Sequence, residues 1–298
     1  MLISPAALDG LFKGFSTSFN KGMAAASSQY AQVAMVAPSS TAETTYAWLG
    51  QLPRMREWLG DRVVKQLQGH GYAIKNKTFE STIEVARTDI EDDQYGVYGP
   101  LFVDLGRAAA EHPDELVFAL LAAGFDTKCY DGQNFFDTEH VAKNRDGEPI
   151  QVSNMQAGAG EGWYLLDTSR AVRPLIFQDR IKPVLTALDR DADQNVFFQD
   201  KYVYGTRARS NAGFGLWQLA HGSRAALTPE SYSDARKAMM ALRGDEGRPL
   251  GVRPDTLVVP PSLEQAGLKL INNATAEGGA TNEWAGTAKL IVCPWLAD

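Results

Sequence analysis

Residues 201–223 read KYVYGTRARSNAGFGLWQLAHGS. Tyr202, Tyr204, Phe214 and Trp217 stand there among Arg207, Arg209 and several glycines. Aromatics between cations can stack nucleic-acid bases, and Gly213-Phe214-Gly215 is a fragment of a phosphate-cradling loop. The spacing favours sheet instead. Tyr202 and Tyr204 are two apart and share one face of a strand, with Val203 on the other. Arg207 and Arg209 alternate again, and Phe214 and Leu216 share a face opposite Trp217. The third glycine of a dinucleotide loop is missing, and no helix follows at once. The stretch is expected to be period-two sheet, broken at Gly205 and at Asn211-Ala212-Gly213.

The neighbouring segments extend this pattern. WYLLDTSR, RPLIFQDR and VFFQDKYVYGTRARS are rich in β-branched and aromatic residues bounded by turn residues, so 161–223 reads as strands. Downstream, TPESYSDARKAMMALRG reads as a helix with Pro229 early and Gly244 at its end. TLVVPPSLEQAGLKLINN reads as a short buried strand and a helix capped by Ser262, and TAKLIVCPWL closes as a strand. Upstream, Asp92 and Asp93 open a helix near 95–112. Pro113 is expected to end it and to open a second one, which stops at Gly124. YAIKNKTFESTIEVART is strand-like with Asn76 near a turn, which makes 51–85 a long hairpin. At the N-terminus Leu8, Leu11, Phe12, Phe15 and Phe19 form an apolar helical stripe that Gly10, Gly14 and Gly22 weaken. The small, polar residues after it cannot bury themselves. Residues 1–50 therefore read as an arm that covers another surface, of its own domain or of a neighbour.

Composition narrows the function classes. The chain has 298 residues, with 44% hydrophobic and 22% charged residues, near the globular norm. Its 29 Lys and Arg against 36 Asp and Glu leave a net charge of -7, which argues against a dedicated nucleic-acid binder. Cys129 and Cys293 fit no CxxC spacing and read as reduced thiols of a cytoplasmic setting. The first residues lack the basic and apolar regions of a signal peptide. No apolar run approaches the ~18 residues of a membrane span.

Each candidate catalytic or metal motif also has a simpler reading. In DRDADQNVFFQD (189–200), Asp189, Asp191, Asp193 and Asp200 occupy ligand positions of a calcium loop. Gln194 stands where that loop wants glycine, and an acidic turn between strands explains the residues as well. A metal-dependent hydrolase built on this loop is the alternative function. Cys129 and His140 share a loop, but a zinc site needs further ligands that the sequence does not suggest. Ser18-Phe19-Asn20-Lys21 matches SxxK without its partner motifs. No catalytic residue, cofactor or metal is expected.

LPRMREWLGDRVV, YAIKNKTFESTIEVARTDIEDD, YDGQNFFDTEH, WYLLDTSR, YGTRARSNAGFGLWQLAHGS and RPLGVRPDTLVVPPSLEQA follow one another along nearly the whole chain. In these segments the sequence resembles the Mu-like phage major head subunits, members of the Hong Kong 97 capsid-fold superfamily. The resemblance implies an α+β fold with an N-terminal arm (1–50), an extended E-loop (51–85), a peripheral domain with a spine helix (86–220) and an axial domain (221–298). It implies a non-enzymatic major capsid protein. Pentamers and hexamers of it would form the icosahedral head of a tailed phage, assembled in the bacterial cytoplasm. The implied partners are further copies of the chain, a scaffolding protein, a portal at one vertex, a decoration protein, and packaged double-stranded DNA in weak contact; no membrane is implied. Aromatics and Met dominate interface cores. Phe12, Phe15 and Phe19 on the arm, and Trp48, Pro53, Arg54, Met55, Trp58 and Phe79 on or beside the hairpin, are thus the expected inter-subunit anchors. Packing within the subunit is the competing reading. Some relatives cross-link a loop lysine to an asparagine. Lys75, Asn76 and Lys77 lie in a comparable element, but a turn accounts for them and no catalytic carboxylate can be matched.

Overall fold

A computed structural model describes residues 3–49, 71–92, 94–244, 247–276 and 278–297. The N-terminal third comprises α1 (Pro5–Ala25), α2 (Tyr30–Val33), β1 (Ala34–Pro38), β2 (Glu43–Thr45), β3 (Ala73–Lys75), β4 (Lys77–Ala86), α3 (Arg87–Glu91) and α4 (Gly99–Ala122). The middle holds β5 (His140–Lys143), β6 (Pro149–Val152), β7 (Met155–Gln156), β8 (Trp163–Leu166), β9 (Leu175–Leu188), α5 (Gln194–Gln199) and β10 (Lys201–Phe214). Then come β11 (Ala220–Ser223), α6 (Pro229–Ala241), β12 (Thr256–Val259), α7 (Glu264–Gly267) and β13 (Lys289–Val292).

Two sheets organise these elements. One has the order β1-β9-β10-β4 and the other β13-β12-β8-β11-β7; β2 with β3 and β5 with β6 form separate pairs. The opening stretch lies in the first sheet, and its aromatics are core: Tyr202, Tyr204 and Phe214 are fully buried and Trp217 nearly so. The expected breaks are absent. β10 runs unbroken through Gly205 and Asn211, and the only irregularity in its pairing with β9 falls around Arg209. That bulge lies opposite Pro183, which has no N–H to give to the ladder.

α1 and α4 cover the inner face of this sheet. Phe15 stacks on Phe102 at 4.1 Å, and both rings meet Tyr204. The helices approach so closely that a Cβ on Gly22 would lie 1.9 Å from the Val103 carbonyl oxygen, and one on Gly106 2.0 Å from that of Phe19. Gly22, which weakens the isolated helix, is thus what lets α1 dock.

α4 is one helix rather than two, with Pro113 inside it. Pro113 cannot donate to the Ala109 carbonyl. The next carbonyl, of Ala110, accepts from the Ser28 hydroxyl at 2.7 Å, and the Asp114 carboxylate accepts from the backbone N–H groups of Gln29 and Tyr30. Residues 28–30 thus bind the helix directly beside its proline. Pro113 also separates two cores. Phe102 and Leu105 belong to the α1 side, whereas Val117, Phe118 and Leu121 pack with β8, β11, β12 and the start of β9.

Of the two surfaces open to the arm, residues 3–49 cover one of their own subunit: α1 lies on α4, and β1 pairs in parallel with β9. Two expectations are corrected. Asn76 is not a hairpin turn. β3 pairs with β2 while β4 pairs with β10, and Asn76 sits buried at the crossing. Residue 220 is not a sheet boundary, because Ala220 pairs with Leu166 and the second sheet draws strands from both sides of it. In addition, Ser262 caps no helix: its hydroxyl bonds Glu161.

Candidate assembly surfaces

β9 and β10 each hold 14 residues and form an antiparallel ribbon roughly 45 Å long. The turn joining them carries α5. Val196 of α5 points inward and is buried, while Phe197 and Phe198 are 74% and 75% exposed with their rings in edge-to-face contact at 5.0 Å. Two adjacent aromatics held outward in water at the end of a long ribbon are a candidate contact for another molecule.

The acidic residues of the same turn do not converge. Asp191 pairs with Arg87 at 3.1 Å, and Asp200 lies 3.9 Å from the same guanidinium. Asp189 lies 3.5 Å from Arg190, which also holds Asp9 at 2.6 Å. Asp193 accepts from the Arg190 backbone N–H at 2.8 Å. Burial pushes the Asp189 carboxyl up, while the adjacent Arg190 charge pulls it down. Carboxylates spread over two arginines and a turn leave no calcium loop, so the hydrolase alternative has no site. VFF, read as strand, is helix.

β2 and β3 form the stem of the loop between them. Their ladder continues through Tyr46 N–H to the Tyr72 carbonyl, so residues 46–72 leave and return at one place. Pro53, Arg54, Met55 and Trp58 lie outside the described residues. Trp48, at the stem, is half-buried against its own core and meets Tyr46 edge-on at 5.9 Å. Phe79 is half-buried with its ring 4.2 Å from that of His112 on α4. Phe12 is half-buried against Tyr204, whereas Phe15 and Phe19 are 5% and 1% exposed inside the subunit. For Phe15 and Phe19 the anchor expectation is corrected: in this conformation both are occupied by α4 and the sheet.

β4, an edge of the first sheet, is blunted against indiscriminate pairing. Lys77, Glu80 and Glu84 are exposed along it, and Glu84 pairs with Lys201 at 2.6 Å. The Asn76 amide donates to Ser39 Oγ and the Thr41 carbonyl, and its oxygen accepts from Gln178 Nε2 at 2.8 Å. A fully engaged, buried amide is not presented for cross-linking.

The comparisons with known proteins bear on this arrangement. The model of the family "Mu-like prophage major head subunit gpT" matches residues 8–296. The chain belongs to that family. It is 48% identical over 305 residues to the Mu-like prophage FluMu major head subunit of Haemophilus influenzae, covering 99% of each chain. It is 44% identical over 305 residues to the major capsid protein of Escherichia phage Mu, covering 99% of this chain and 100% of that one. Among solved structures it is similar to the procapsid of bacteriophage JBD30, with TM-score 0.88 and 47% identity over 98% of this chain and 100% of that one. The capsid of the same phage gives TM-score 0.80 and 35% identity, covering all of both chains. This Mu-like head subunit is therefore a major capsid protein with a Hong Kong 97-type α+β fold.

Sequence reasoning missed Phe197 and Phe198. One signal was present. In a strand, neighbours point to opposite faces, so an adjacent Phe pair beside an alternating run already departs from the strand pattern.

Proposed function

We infer that this head subunit assembles through homotypic contacts into pentamers and hexamers that close an icosahedral shell around double-stranded DNA, with no catalytic step. Closed shells need heterologous contacts. The long ribbon ending in Phe197 and Phe198, and the segment that leaves and returns at the β2–β3 stem, supply them. In this reading the first sheet with α1 and α4 is the peripheral part, α4 is the spine, 46–72 is the E-loop and the second sheet with α6 is the axial part. A scaffolding protein and a portal complete the assembly in the host cytoplasm. The JBD30 capsid has been solved decorated with minor capsid protein trimers, which supports a decoration partner here. A net charge of -7 supports weak contact with the packaged genome.

The outward aromatic pair carries this reading, and its substitution tests it. Co-expressed with its scaffold, the Phe197→Ser/Phe198→Ser double variant is expected to lose shells in a sucrose gradient by about tenfold or more, as for a hot spot above ~1.4 kcal/mol. The melting temperature of the subunit should not change. Normal yields of closed shells would remove the ribbon tip from the assembly contacts.

A further inference from the structure

His140 is fully buried, and both of its ring nitrogens face atoms that only accept hydrogen bonds. Nδ1 lies 2.8 Å from Asp131 Oδ2, and Nε2 lies 3.3 Å from the Phe135 carbonyl oxygen. A neutral imidazole carries one N–H. Placed on Nδ1 it is donated to Asp131, and the Nε2 lone pair then faces the Phe135 carbonyl; moved to Nε2 it serves that carbonyl and frees Nδ1 to share a cation with the carboxylate. Cys129 Sγ is directed at the same carboxylate, 3.1 Å from Asp131 Oδ1. The thiol sulfur, a carboxylate oxygen and a ring nitrogen all lie within 4.8 Å of one another, the one such grouping among the described residues.

We propose that Cys129, Asp131 and His140 bind a zinc ion that pins the 125–140 loop to the subunit core. Imidazole nitrogen, thiolate sulfur and carboxylate oxygen are the donor types zinc accepts. Ligands on one tetrahedral zinc stand roughly 3.3–3.7 Å apart, given bond lengths of about 2.0–2.3 Å. Nδ1 and Asp131 Oδ2 now stand 2.8 Å apart and Cys129 Sγ and Oδ1 3.1 Å, so a bound ion would widen both contacts. Donation from the distal ring nitrogen to a backbone carbonyl is the usual way a metal-ligating histidine is oriented, and Phe135 provides that carbonyl. Trp217 stacks on the imidazole at 4.1 Å and 10°, which fixes the ring plane. The backbone N–H of Gln133 donates to Asp131 Oδ1 at 3.1 Å and steadies the carboxylate. The Asp131 side chain keeps 20% of its surface exposed, so water has access to a fourth position. The binding releases the Cys129 thiol proton to solvent, and the single imidazole proton of His140 moves from Nδ1 to Nε2. No electrons are transferred.

The test uses the full chain, stripped with chelator and dialysed against zinc(II) or cobalt(II). The expected result is metal stoichiometric with the chain, a near-ultraviolet thiolate-to-cobalt charge-transfer band, and a higher melting temperature with zinc. Cys129→Ser should lose the charge-transfer band, and Asp131→Asn should weaken zinc binding by at least tenfold. The cobalt spectrum of the unaltered chain needs no variant to fold. Absence of both stoichiometric metal and the thiolate band would overturn the proposal and leave a proton between His140 and Asp131. Zinc binding undiminished in both variants would overturn it equally, by placing the metal elsewhere.

Discussion

Glycines on the packed pair α1 and α4 meet opposite fates. At Gly22 and Gly106 an added methyl meets backbone of the partner helix at 1.9 and 2.0 Å, while at Gly10 and Gly14 nothing lies within 4 Å. Gly→Ala adds up to about 1 kcal/mol of helix propensity, but forcing two helices apart costs typically ~1–3 kcal/mol or more. Gly10→Ala and Gly14→Ala are therefore expected to raise the denaturation midpoint of the subunit, and Gly22→Ala and Gly106→Ala to lower it. Chemical denaturation of the four variants checks the sign. His221 provides a second residue-level test. It is 2% exposed, neither ring nitrogen has a hydrogen-bond partner, and burial lowers its pKa from 6.5 to about 4. The unfolded chain takes up this proton near pH 6.5 and the folded chain only near pH 4. Stability from this group is thus complete above pH 6.5 and falls as the pH drops through about 4, by on the order of 3 kcal/mol. Stability curves of the His221→Phe variant should lack this component of the slope between those values.

Ribbon and arm separate assembly from folding. Phe19 is 1% exposed, so Phe19→Ala should destabilise the subunit by about 3–5 kcal/mol. The tip pair, exposed by three quarters, should affect assembly alone. Melting curves of the two variants, measured side by side, distinguish these roles. The same elements show what a sequence can reveal. The stripe of α1, the alternation of β10 and the buried run of β12 were all legible, because their periods are local. The partner of each was not. Nothing in residues 5–25 says that α4 covers the stripe, and Pro113 reads as a helix end until Ser28 is seen bonding the carbonyl beside it. Asn76 reads as a turn because its buried partners, Ser39 and Gln178, are distant in sequence. Asp131 was visible as a loop carboxylate, but only folding sets it between Cys129 and His140. For the expected anchors, residue type could be read from the sequence and exposure could not.

Over the whole molecule, α4 joins two cores, one under α1 and one under the second sheet. Asn76 is held in the interior at the junction of the sheets, so shells boiled in detergent should run as a single monomer band; a ladder would show a cross-link that this geometry does not present. The subunit is proposed to close into shells through contacts between its own copies. Sedimentation velocity of the chain co-expressed with its scaffold, over a concentration series and with micrographs of the fast fraction, tests it most directly. Pentamers and hexamers are expected at low concentration and closed shells above it. A monomer at every concentration, with scaffold present, would contradict it.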